Sequence, residues 1–116
     1  KEKETSKANR VDVFRVTFDI DENRIAEDGV KDLFVRIIAP SGNLLVNAAQ
    51  GSGSTDTYDG QNLNYTTVKQ ISLKQGEPVS NISVDWHQDN SYERGAYQIE
   101  IYNEGYKIGN SSINLR

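Results

Sequence analysis

The segment Gly95-Ala96-Tyr97-Gln98-Ile99-Glu100-Ile101-Tyr102, then Asn103-Glu104-Gly105, then Tyr106-Lys107-Ile108, reads as a β-hairpin. Tyr97, Ile99 and Ile101 alternate with Gln98, Glu100 and Tyr102, the period of two that a strand shows when one face is buried. Asn103-Glu104-Gly105 suits a three-residue loop, a type I turn closed by Gly105 in the left-handed region as a G1 bulge. A hairpin at this position sets the expectation for the whole chain: an all-β, immunoglobulin-like antiparallel β-sandwich of about seven strands.

Working outward, the same alternation recurs. Arg10–Ile20 carries Phe14, Val16, Phe18 and Ile20 on one face and Arg15, Thr17 and Asp19 on the other. Leu33–Ala39 is apolar apart from Arg36, as in a central strand covered on much of both faces. Pro40-Ser41-Gly42-Asn43 is a turn, and Leu44–Val46 a short return strand. Asn47–Asn64 holds Gly51, Ser52, Gly53, Ser54 and Gly60, and is expected to be a long loop with one short edge strand near Thr55–Tyr58. Tyr65–Leu73 is a strand whose phase slips, which places a bulge near Thr67–Lys69. Val79–Trp86 is the next strand, with Ile82, Val84 and Trp86 inward, and His87–Arg94 is a polar loop. In the last strand the parity changes between Ile108 and Ile113, placing a bulge at Gly109–Asn110. The expected core is Phe14, Val16, Phe18, Val35, Ile37, Ile71, Leu73, Ile82, Val84, Trp86, Tyr97, Ile99, Ile101, Ile113 and Leu115. Residues 1–9 form a polar tail and 10–116 the sandwich domain.

The 116 residues fit one domain. There is no Cys, which excludes disulfides and thiolate metal sites. The net charge is −4. The first ten residues hold four basic and two acidic side chains, leaving nine basic against fifteen acidic, net −6, in the remainder. That balance disfavours nucleic acid, which is captured by a basic face. No apolar run is long enough to span a bilayer and no signal-peptide core is present. The chain opens on Lys1 rather than Met, so it is expected to be a fragment or a processed product.

Asp19, Asp21 and Asn23 space three oxygen ligands at alternate positions, the opening of a calcium loop. The loop then departs from the pattern, with Arg24 where Gly is required and Val30 where the closing Glu belongs. His87 is the only His, and a lone imidazole makes neither a transition-metal site nor a triad. Gly51-Ser52-Gly53-Ser54 lacks the lysine and helix of a phosphate loop. Asn64, Asn81 and Asn110 each open an N-glycosylation triplet, and Asn81 leads into a buried strand. The aromatic residues raise sugar stacking, for which Tyr58, Tyr92 and Tyr102 are the candidate binding surface. Trp86 and Tyr97 lie on inward parities, and Tyr102 and Tyr106 flank the hairpin turn as a cross-strand pair. No catalytic residue set and no cofactor site emerge.

The run Lys7-Ala8-Asn9-Arg10-Val11-Asp12-Val13-Phe14-Arg15-Val16-Thr17-Phe18-Asp19-Ile20-Asp21-Glu22-Asn23 resembles the start of the C-terminal domain of membrane-anchored coiled-coil proteins of Bacteroidetes, often labelled chromosome-partitioning ParA-like. The likeness continues through Gly29, Phe34–Pro40 and Gly42, and through the Gly-x-Tyr strand, the Asn-Glu-Gly turn, Ile108-Gly109 and Ile113-Asn114-Leu115. It implies a membrane helix and a coiled-coil stalk upstream, with residues 1–8 as the end of the stalk. It further implies a location in the bacterial cell envelope, on the periplasmic side, and an intact protein made oligomeric through the coiled coil. It does not imply ATPase activity, because the chain has neither a P-loop nor an α/β pattern.

The reading is therefore a non-catalytic binding or scaffolding domain with a protein partner. A carbohydrate-binding module and an accessory domain of an envelope enzyme are the alternatives. Its loops at Asp21–Asp32, Asn47–Asn64 and His87–Arg94 are candidate contact surfaces.

Overall fold

A computed structural model describes residues 7–8, 13–20, 29–74, 78–87 and 92–116, with the side chains of Ile20 and Leu73 outside that set. Alternating sequence gives eight described strands: β1 (Val13–Ile20), β2 (Gly29–Ile38), β3 (Gly53–Asp56), β4 (Asn62–Tyr65), β5 (Thr67–Leu73), β6 (Val79–His87), β7 (Gly95–Asn103) and β8 (Tyr106–Leu115). All pairings are antiparallel and make three sheets: β1–β6, β5–β2–β7–β8, and the hairpin β3–β4.

The two larger sheets bury their apolar faces against each other. Phe14 and Val16 of β1 and Ile82, Val84 and Trp86 of β6 form one cluster with Leu33, Val35 and Ile37 of β2, Tyr97, Ile99 and Ile101 of β7, and Leu115 of β8. The Phe14 and Tyr97 rings meet across the layers with centroids 4.9 Å apart. Burial of each such side chain contributes about 1.5–3 kcal/mol. Phe18, Ile71 and Ile113 are partly buried against this core. Leu33 joins it because the chain alternates strictly from Leu33 through Ala39, just past the end of β2, with the odd residues inside.

The apolar even residues of β2 have a separate explanation. The segment expected to be a long loop with one short edge strand near Thr55–Tyr58 folds into the β3–β4 hairpin, whose first strand overlaps that expectation, and the hairpin covers the outer face of β2. Tyr65 packs on Phe34 with ring centroids 4.8 Å apart, and Arg36 Nε donates to the Asn64 carbonyl at 2.9 Å. Cross-strand bonding between two four-residue strands outweighs the loop-forming tendency of Gly and Ser, because the hairpin also gains a sheet to rest on. This hairpin brings the number of described strands to eight.

Three local expectations shift. The β7–β8 turn has two central residues, since Asn103 pairs with Tyr106. Glu104 and Gly105 both have positive φ, 51° and 84°, so the turn is type I′, whose twist matches that of the strands. The irregularity of β8 falls at Ile108, the residue skipped between the pairs Ile101–Gly109 and Tyr102–Lys107. The phase slip after Tyr65 is a break at Thr66, with β4 ending before it and β5 beginning after it.

The two seams between the sheets differ. On the β5/β6 side, the 3-10 turn Ala48–Gln50 closes the gap. The Gln50 side chain receives the His87 N–H at 2.8 Å and donates to the His87 carbonyl, while the Gln50 carbonyl accepts from Thr67 at 3.1 Å. On the β1/β8 side, Ala8 is buried and its N–H donates to the Arg116 carbonyl at 2.9 Å. Farther along that seam lies an open groove of about 250 Å³ bounded by Thr17–Asp19 and Ile108–Ser111, over Ile99 and Ile101.

Candidate functional site

The tip of the β3–β4 hairpin is a turn held by its own first residue. Thr57 N–H donates to the Gln61 carbonyl at 2.8 Å, and its hydroxyl accepts the Gln61 N–H at 3.1 Å. Tyr58 follows, and its N–H donates to the Gly105 carbonyl at 3.1 Å, joining this tip to that of the β7–β8 hairpin. A Cβ on Gly105 would lie 2.6 Å from the Tyr58 nitrogen, so the approach requires glycine there as well as the turn does. The joined tips hold the rings of Tyr58 and Tyr106 face to face, centroids 4.6 Å apart and 6° from parallel. Both rings remain in solvent, Tyr58 at 68% and Tyr106 at 55% exposure. Lys31 and Glu104 pair beside the turn at 3.3 Å.

The three candidate tyrosines separate. Tyr58 is in this surface pair. Tyr92 is not on the surface: it is 4% exposed, packs on Phe14, and donates its hydroxyl to the Trp86 carbonyl at 2.9 Å. A polar loop sequence concealed it, since nothing local distinguishes a tyrosine that turns inward. Tyr102 is half-buried on the outer face of the large sheet, between Phe34 of β2 and Lys107 of β8. Tyr106 therefore takes Tyr58 as its ring partner rather than Tyr102. The signal available for it was its place directly after the turn glycine.

Near Tyr102 the outer face carries a charged cluster. Glu100 pairs with Arg36 at 2.5 Å and with Lys107 at 3.2 Å. Arg36 thereby ties β7 to the covering hairpin through one guanidinium.

Of the calcium candidates, Asp21 and Asn23 lie outside the described residues. Asp19 accepts the Asn81 N–H at 2.8 Å, and Asn81 sits at positive φ, 58°, at the register shift of β1 against β6. Among the described residues no group of three or more His, Asp or Glu side chains is placed to hold a metal ion. Ser83, Asp85 and His87 alternate on the outer face of β6, and the first two are bonded to residues of β1. Ser83 shares a hydrogen bond with Thr17 at 3.3 Å, and Asp85 takes two bonds from Arg15 at 2.7 and 3.0 Å. The Arg15 hydrogen bond is the main reason the Asp85 carboxyl titrates below its ordinary value. Asn64, Asn81 and Asn110 are all exposed. Among the described residues no helix is long and apolar enough to cross a membrane.

Over residues 1–116 the chain matches the model of a family described as "Domain of unknown function (DUF8428)". No curated protein matches it, and no solved structure does.

Proposed function

The chain belongs to that family, and we propose that it is a non-catalytic binding domain whose contact surface is centred on the joined hairpin tips. The observation that carries this reading is the stacked, solvent-exposed pair Tyr58–Tyr106. Exposed aromatic rings are enriched where proteins make contacts, because a rigid ring buries much area for little lost rotamer freedom. Here the tips are further stiffened by the Tyr58–Gly105 backbone bond. We read the fold in the same spirit as an immunoglobulin-like sandwich, its two layers being the β1–β6 sheet and the four-stranded sheet.

The wider setting, a head on a membrane-anchored coiled-coil stalk in the bacterial envelope, is supported by the resemblance of Lys7–Asn23 and by one structural feature. Ala8 is packed into the core and bonded to Arg116, so a preceding segment would be coupled to the body of the domain. Heptads and a membrane helix encoded upstream would agree with this; a hydrolase there would favour the accessory-domain alternative.

The test is replacement of both rings. The Tyr58→Ser, Tyr106→Ser variant should keep its fold and lose at least about tenfold in affinity for a partner captured by the parent domain, as expected when a central aromatic contact is removed. The same exposed pair favours one second reading, a carbohydrate-binding module. A glycan array on which the parent binds and the variant does not would replace the protein partner with a sugar.

A further inference from the structure

The seam between β5 and β6 is closed by the Gln50 side chain, which satisfies both backbone groups of His87 as a neighbouring strand would. Among the described residues, the seam between β1 and β8 has no such device along its groove. β8 is the last strand of the large sheet, and among the described residues no strand pairs with its outer edge. Natural edges are blunted by charges, proline or bulges. From Ile108 to Leu115 this edge carries no charged residue and no proline. Its bulge sits at Ile108, and from Gly109 to Leu115 its register with β7 is unbroken.

The groove beneath has a sequence cause. Gly109 and Ser111 stand opposite Ile101 and Ile99 and so take inward positions, yet they are too small to fill them; Ile113 and Leu115 fill the same row farther along. The floor is therefore apolar, made by Ile99, Ile101, Ile108 and Phe18, and the rim is Thr17, Asp19, Asn110 and Ser111.

We propose that this seam accepts an extended peptide, which adds to β8 as a fifth strand of the large sheet and sets alternate apolar side chains against Phe18 and Ile108. Two observations favour a peptide over other occupants. A backbone edge that no described strand covers is satisfied by another extended backbone, and the chain just past the strand's end already takes one such bond, from Ala8 to Arg116. The rim is acidic at Asp19 and the chain carries net charge −4, so a second copy would bring like charge, whereas a basic peptide would bring the opposite one. The site shares with the preceding reading only the expectation of a protein partner, and neither Tyr58 nor Tyr106 lines its groove.

Selection of a phage library of random linear peptides on the immobilised domain tests it. The expected binders alternate apolar and polar residues with at least one Lys or Arg. They slow amide exchange along Gly109–Leu115, and they bind Ser111→Lys about tenfold or more weakly while binding Val68→Lys and Tyr58→Ser like the parent. Ser111 is exposed, and equal melting temperatures of Ser111→Lys and parent confirm that the fold survives. Binders that ignore Ser111→Lys but are lost with Tyr58→Ser would overturn the seam and leave the tyrosine surface standing. Self-association of the domain that Ser111→Lys abolishes would overturn it in favour of a second copy. A selection that enriches nothing would overturn it too, and the Tyr58–Tyr106 reading would then rest on its own affinity measurement.

Discussion

At Thr66 the backbone leaves β4 and enters β5 with every polar group accounted for. Its N–H donates to the Val35 carbonyl at 2.8 Å, its hydroxyl accepts the Ile37 N–H at 2.8 Å, and its carbonyl accepts from the Ser52 hydroxyl. The residue is fully buried. Thr66→Val keeps the shape and orphans the Ile37 N–H, which should cost about 1–3 kcal/mol in a urea melt. Thr66→Ser keeps the acceptor and should cost less; equal stabilities of the Val variant and the parent would contradict this account. Tyr97 supplies a second test at this scale. It lies in the core with its hydroxyl donating to the Glu93 carbonyl at 2.8 Å. Burial, and secondarily the charge of Glu93, raises its pKa above the ordinary 10. The folded state thus holds the proton more tightly than the unfolded chain. Stability is at its full value below about pH 10 and falls as the pH rises toward the folded pKa. Tyr97→Phe should lose about 1 kcal/mol at neutral pH and show a smaller alkaline decline, read from melting temperatures at pH 8 to 11.

Among the elements, the β7–β8 hairpin was the most legible apart from the length of its turn. Alternation through Tyr97, Ile99 and Ile101 announces the strand, and all three are buried. The sequence predicts a turn one residue longer than the one observed, because Asn-Glu-Gly fits a G1 bulge as well as Glu-Gly fits type I′, and only the Asn103–Tyr106 pair separates them. The Asn47–Asn64 segment was opaque for another reason. Its strands hold four residues each and are stabilised mainly by what they rest on, so their own composition carries little signal. Gly105→Ala joins these two elements in one experiment. It places a methyl against the Tyr58 nitrogen and a side chain at φ 84°. The expected cost is about 1–3 kcal/mol, with loss of the Tyr58–Tyr106 ring contact in NMR spectra. Retention of both stability and ring contact would mean that the Tyr58–Gly105 backbone approach does not hold the tips together.

At the scale of the whole molecule, two sheets are held together by one shared core and by contacts along their seams. The core between them was largely readable: of the residues expected inside, Phe14, Val16, Val35, Ile37, Ile82, Val84, Trp86, Tyr97, Ile99, Ile101 and Leu115 are buried. The closure at the edges was not. Gln50→Ala removes both bonds to the His87 backbone, so it should lower stability by about 1–2 kcal/mol and speed amide exchange at His87 while leaving β7 unchanged. Unaltered exchange at His87 would show that the Gln50 amide does not cap β6.

Taken alone, the amino-acid order determined the all-β class, the antiparallel strands and most of the buried face, because alternation along a pleated backbone is a local property that each strand carries in its own residues. It also placed the β8 irregularity within a residue or two of Ile108. Tertiary structure alone decided that Tyr58 meets Tyr106, that Tyr92 turns inward, that Gln50 caps β6, and that a groove runs along the β1/β8 seam among the described residues. Each of those depends on segments far apart in the chain arriving side by side, and a contact of that kind leaves no period in either segment.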